Sequence, residues 1–134
     1  MEVTLALLAD SANVSREGKL NLLGIFNVIH AQAFPAIHPK MQLVLSFEAT
    51  HAEVGRQKSV EIVLFDADNN KLGSITGQLV IPKGESGYPI QLNHIIDIPP
   101  LKLEKPGDYA FRILIGGEDK KSITLRVIAS KPTK

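Results

Sequence analysis

Hydrophobic and polar residues alternate with a period of two along most of the chain, the spacing that sends successive side chains to opposite faces of a strand. The pattern is clearest from Met41, where Met41, Leu43, Leu45 and Phe47 share one face and Gln42, Ser46 and Glu48 the other. It recurs in Val60, Ile62 and Leu64, in Ile75, Gly77, Leu79 and Ile81, in Tyr109, Phe111, Ile113 and Ile115, and in Ile123, Leu125 and Val127. Turn-forming clusters separate these runs: Asp66 to Asn70, Pro82 to Gly87, Pro99-Pro100, Pro106-Gly107 and Gly116 to Asp119. The prolines fall at the seams, because proline cannot donate to a sheet ladder. Runs and turns together predict eight strands, near 2–9, 19–31, 41–49, 57–66, 72–81, 90–98, 107–116 and 121–129. No segment of helical length shows the i, i+3, i+4, i+7 spacing, and Ser11 to Glu17 offers at most one helical turn capped by Ser11.

Short strands joined by tight turns cannot each bury an apolar face in one flat sheet, so they pack as two sheets or curl closed. The expected fold is all-β, a two-sheet antiparallel sandwich of about eight strands. The segment Glu104-Lys-Pro-Gly-Asp-Tyr109 looks like the tyrosine corner of immunoglobulin-like domains, in which the hydroxyl ties a late strand to the preceding loop. With no cysteine and no tryptophan in the chain, the expected likeness is to immunoglobulin-like architecture without the disulfide.

Two segments depart from simple alternation. Leu20 to Ile29 and Val3 to Ala9 carry apolar residues on both parities. Either the long 32–40 loop shields a central strand there, or a subunit interface does. The outward-parity residues Val44, Leu114 and Ile128 are the further interface candidates.

The 134 residues suit a single β domain over 1–130 followed by a frayed basic tail at 131–134. Fifteen Lys and Arg against fourteen Asp and Glu leave a net charge of +1, which gives no broad phosphate-neutralising surface and argues against nucleic acid. The absence of cysteine removes thiolate chemistry and disulfides. No stretch reaches the length of a membrane-spanning helix, and the first residues lack the basic start of an export signal, so a cytoplasmic location away from membranes is expected by elimination.

The stretch from Leu7 through Asp10, Asn13, Ser15 and Gly18 to Phe26 is the most distinctive in the chain. With Phe34-Pro35, His38-Pro39 and Pro106-Gly-Asp-Tyr-Ala-Phe111, it resembles a family of short bacterial all-β proteins classed as a domain of unknown function. The resemblance implies a stand-alone β domain and carries no activity. Read physically, Asp10, Asn13 and Ser15 shape the turn between the first two strands, and Gly18 supplies a positive φ. The alternative is that Asp10 and Asn13 form part of a polar recognition site at one end of the domain, with Tyr88 as a loop contact residue.

Chemistry finds little support. Asp66, Asp68 and Asn70 begin like a calcium loop, but Lys71 and Gly77 stand where that loop needs glycine and a bidentate glutamate. His30, His38, His51 and His94 make no ligand pair by spacing. Ser86 lies in Gly84-Glu-Ser-Gly87, one residue short of a nucleophile elbow. No glycine-rich loop enters a helix. No cofactor and no catalysis are therefore expected. The function expected is an interaction or assembly module that binds a protein partner or itself through loops or strand edges, with a small-ligand or ion-binding β-sandwich as the alternative.

Overall fold

A computed structural model describes residues 1–130 as strands, turns and one short 3-10 turn at His51–Glu53. The basic tail expected at 131–134 lies outside the described residues. In chain order the eleven strands are β1 (Glu2–Val14), β2 (Leu20–Phe26), β3 (Val28–Ala31), β4 (Ala36–His38), β5 (Met41–Ala49), β6 (Gln57–Phe65), β7 (Lys71–Val80), β8 (Ile90–Ile98), β9 (Leu101–Leu103), β10 (Gly107–Ile115) and β11 (Glu118–Ala129). They form a four-stranded sheet in the order β2-β1-β5-β8, a five-stranded sheet in the order β3-β11-β10-β6-β7, and a two-stranded sheet of β4 and β9. All pairings are antiparallel except that of β3 with β11.

Alternation sets which faces meet. Met41, Leu43, Leu45 and Phe47 on β5 join Leu8 of β1 in one core cluster with Val60 and Ile62 of β6, Tyr109, Phe111, Ile113 and Ile115 of β10, and Leu125 and Val127 of β11. The two larger sheets thus bury their apolar faces against each other. Burial of a side chain of this size is worth about 1.5–3 kcal/mol relative to exposure, so this contact dominates the fold.

Three expectations are corrected. The strand expected over 19–31 is two strands, because at Asn27 the chain leaves the four-stranded sheet for the five-stranded one, where the Arg126 N–H donates to the Asn27 carbonyl at 2.8 Å. The one helical turn that Ser11 to Glu17 could have made does not form: β1 runs on to Val14, paired with β2, and closes in a turn where the Gly18 N–H donates to the Ser15 carbonyl at 2.9 Å. The hairpin ladder with β2 overrides a weak helix signal here. The 32–40 stretch contains β4, which pairs with β9 through Ala36, Ile37 and His38; strands of three residues are too short to show a period.

The four-stranded sheet is curled. The turn of the β1–β2 hairpin lies over its outer face, since Gly18 accepts a hydrogen bond from Asn93 Nδ2 at 3.2 Å and the Ala12 N–H donates to Gln42 Oε1. Asn93 and Gln42 belong to the outward rows of β8 and β5, so a hairpin running straight on from β1 could not reach both. The bend coincides with Gly24 at φ 72°, where a Cβ would collide with the Asp10 carboxylate. Val44, between those two anchors on the outward row, is consequently fully buried.

Tyr109, the third residue of β10, ties the strand to the loop before, its hydroxyl donating to the Lys105 carbonyl at 2.8 Å. Tyr109 itself is 1% exposed, so its ring fills the core while its hydroxyl serves the backbone. Tyr109→Phe should keep the ring and lose the tie, lowering stability by about 1 kcal/mol. Thermal unfolding should show a midpoint about 3–5 °C lower, and an unchanged midpoint would mean that the corner contributes nothing.

Candidate functional site

A strand at the end of a sheet leaves one row of backbone N–H and C=O groups unpaired. The larger sheets end at β2 and β8, and at β3 and β7. These edges are unequal. Strand β3 spans four residues, β8 carries His94 and Asp97, and β2 is interrupted by the positive φ of Gly24. By contrast the ten-residue β7 pairs through nine of its residues with β6, its one partner strand among the described residues, and the sequence from Leu72 to Ile81 contains neither a charged residue nor a proline. Natural edge strands are usually blunted by lysine, proline or a bulge. Here the ladder shifts register once, at the Lys71 end, and is regular from Gly73 to Val80. Ser74, Thr76, Gln78 and Val80 face solvent, while Ile75, Gly77 and Leu79 are half-buried toward the core.

A cleft of about 390 Å³ opens beside the first half of this edge. Leu72 and Ile75 of β7 form one wall, Ile98 and Leu101 with the two prolines between them form the other, and Ile62, Leu64 and Phe111 are its floor. The floor residues belong to the main core, so the cleft is a gap between the two sheets along the side where β7 and β8 both end. Farther along, the gap is closed by His94, whose Nε2 lies 4.0 Å from where a Cβ would stand on Gly77. Burial pushes the His94 pKa down, which favours the neutral ring that such an apolar seam accepts. Among the described residues the charged side chains on the cleft lining are Lys102 and Glu104, which pair with each other at 3.3 Å.

The residues singled out from sequence do not converge. Asp10 packs its carboxylate over Gly24, and Asn13 Oδ1 accepts a hydrogen bond from Asn21 Nδ2 at 2.9 Å, so both serve the β1–β2 hairpin. Tyr88, 67% exposed, lies beside a separate hollow with Met1, His51 and Pro89, and its carbonyl accepts from His51 Nε2 at 2.7 Å. Of the interface candidates, Val44 keeps its outward parity on β5 but is fully buried beneath the hairpin. Leu114 is half-buried, with Glu61 and Asp119 as its cross-strand neighbours, and Ile128 remains 37% exposed.

The Asp66–Asn70 run is a tight turn. Asp66 Oδ1 accepts from the Asp68 and Asn70 N–H groups at 2.9 and 2.8 Å, and Asn69 takes φ 66°. These donors hold the Asp66 carboxyl below its usual range. Asp68 is ion-paired with Lys105, so both carboxylates of the run already have partners. Among the described residues no group of three His, Asp or Glu side chains comes together to hold a metal ion, and no helix is long and apolar enough to cross a membrane.

One polar cluster was not visible in the sequence. Glu53 Oε1 accepts from the Thr50 N–H at 3.0 Å and from Thr50 Oγ1 at 3.1 Å. Its Oε2 accepts from the Met1 ammonium at 3.2 Å and lies 3.6 Å from Lys58 Nζ. The carboxyl is pulled from 4.5 to about 2, chiefly by the Thr50 N–H, with the Met1 ammonium adding to it against the cost of burial. No spacing rule joins residues 1, 53 and 58, so only the fold reveals this hub.

The wording that distinguished the N-terminal third is matched by a family model over residues 4–128, described as a family of unknown function, DUF6941. The chain belongs to the DUF6941 family. No curated protein matches it. The family resemblance read from the sequence thus holds across nearly the whole DUF6941 chain, and it supplies no activity.

Because the Glu53 pKa is depressed on folding, its contribution is complete above about pH 4.5 and is lost as pH falls toward about 2. Glu53→Gln should destabilise the protein at neutral pH by about 1–3 kcal/mol, the worth of hydrogen bonds to a charged acceptor. Urea unfolding of both forms across that pH window should show the gap between them closing in acid; a constant gap would remove the carboxylate from the account of acid stability.

Proposed function

We propose that this DUF6941 protein is a non-catalytic interaction module of immunoglobulin-like architecture, which docks an extended segment of a partner protein as an added strand on β7. The observation that carries the reading is the free edge itself, regular from Gly73 to Val80 and uncharged from Leu72 to Ile81. An added strand gains main-chain hydrogen bonds along its length, the mode used wherever a peptide extends a sheet.

The architectural part rests on strand order. Strands β1, β5 and β8 face β11, β10, β6 and β7. With β2 and β3 set aside as additions at the edges, the order supports reading them as A, B and E against G, F, C and C′ of an immunoglobulin-like domain, and the Tyr109 tie then falls near the start of the F-equivalent strand. β7 becomes the C′ edge in that reading.

Thr76 and Gln78 face solvent from β7, so replacing both with lysine puts charge on the edge without touching the core. Linear peptides selected from a random display library on the immobilised full chain should bind the double variant Thr76→Lys, Gln78→Lys at least about tenfold more weakly, a loss of about 1.4 kcal/mol. Its melting temperature should stay within about 2 °C of the parent. Unchanged binding, or a library that yields no binders, would overturn strand addition at β7.

A second reading, self-association, is favoured by Leu23 and Ile25, which are 71% and 61% exposed on the same side of β2. Sedimentation should then show a concentration-dependent dimer that Leu23→Lys with Ile25→Lys abolishes. A monomer at every concentration would remove this reading.

A further inference from the structure

We propose that the cleft beside the first half of β7 is an anchor pocket that takes one bulky apolar side chain, aromatic or branched aliphatic, from the partner segment added to that edge. The inference rests on the strand-addition reading and deepens it by assigning the chemistry of the partner. In a sheet, side chains at alternate positions of an added strand point the same way as Ile75 and Leu79 do on β7, toward the space between the sheets. At the Leu72 end that space is the open cleft, whereas at Gly77 it is closed by His94. One inward position of an added strand therefore has room for a large side chain, and the next inward position toward Gly77 does not.

The lining selects what enters. Its walls and floor are aliphatic and aromatic, and the Lys102 and Glu104 side chains at the cleft satisfy each other, so an incoming charge would lose its water without gaining a counter-ion. A free small molecule in the cleft would leave the adjoining β7 backbone groups unpaired, while a strand satisfies both at once. A second copy of the chain fits poorly as the occupant. Its own inward residues on β7 would be Ile75 and Leu79, and both are already packed against their own core.

The test uses the full chain and the peptides selected from the random library. They should share one bulky apolar position flanked by alternating polar ones, and changing that residue to alanine should weaken binding by about tenfold or more. Leu72→Trp, which narrows the cleft from a partly exposed wall position, should weaken the parent peptide by a similar factor and leave the alanine peptide nearly unaffected. An equal midpoint in urea unfolding will show that Leu72→Trp folds as the parent does; if it does not, Leu72→Ala should instead shift selection toward larger anchors. Peptides with no fixed apolar position, or full additivity of the two changes, would overturn the anchor pocket while leaving strand addition intact, provided that the Thr76→Lys, Gln78→Lys variant still loses them. Peptides that keep binding that variant would overturn both.

Discussion

The apolar faces of two sheets have only each other to be buried against, and every other feature of the chain is arranged around that contact. Phe47 and Leu45 on one side, and Phe111, Ile113 and Leu125 on the other, leave almost no surface exposed. Once those faces are joined, the remaining questions concern outer faces and edges. The outer face of the four-stranded sheet is covered by the chain's own β1–β2 hairpin, anchored on Gln42 and Asn93. On the five-stranded sheet the Arg112 guanidinium lies 5.4 Å from the centre of the Phe65 ring and is held there by Asp119 at 3.2 Å.

Edges are resolved less evenly. The crossing at Asn27 lets β3 cover the last residues of β11, and Gly24 breaks the regularity of β2. On the opposite side the protection of β7 among the described residues is confined to Lys71 and the register shift beside it, and the layers there part into the cleft above Ile62 and Phe111. An uncharged backbone edge and an apolar gap in the core, side by side, are two departures from a closed β domain that a single extended ligand would satisfy together.

Much of this was legible in the sequence because the period of two is a local signal. The strands at 41–49 and 90–98 have the bounds read from the sequence, and Tyr109 makes the backbone tie that Pro106-Gly107 before it suggested. What stayed hidden depends on contacts between distant residues. Nothing local to Asn27 says that the chain changes sheets there, and nothing near Val44 says that a hairpin more than twenty residues earlier folds over it. Three-residue strands such as β4 and β9 have too few positions to show a period. The absence of charge between Leu72 and Ile81 could have been read directly, but its meaning depended on β7 being an edge, and strand order is not written in alternation.

The openness of that edge is measured most directly by amide hydrogen exchange, residue by residue, on the free full chain. Between Gly73 and Val80 protection should alternate, slow where the N–H bonds to β6 and fast where it points away from the sheet. Uniformly slow exchange along β7 would mean that its outer row is already paired, and uniformly fast exchange would mean that the strand is not held at all; either result would contradict an open, ordered edge.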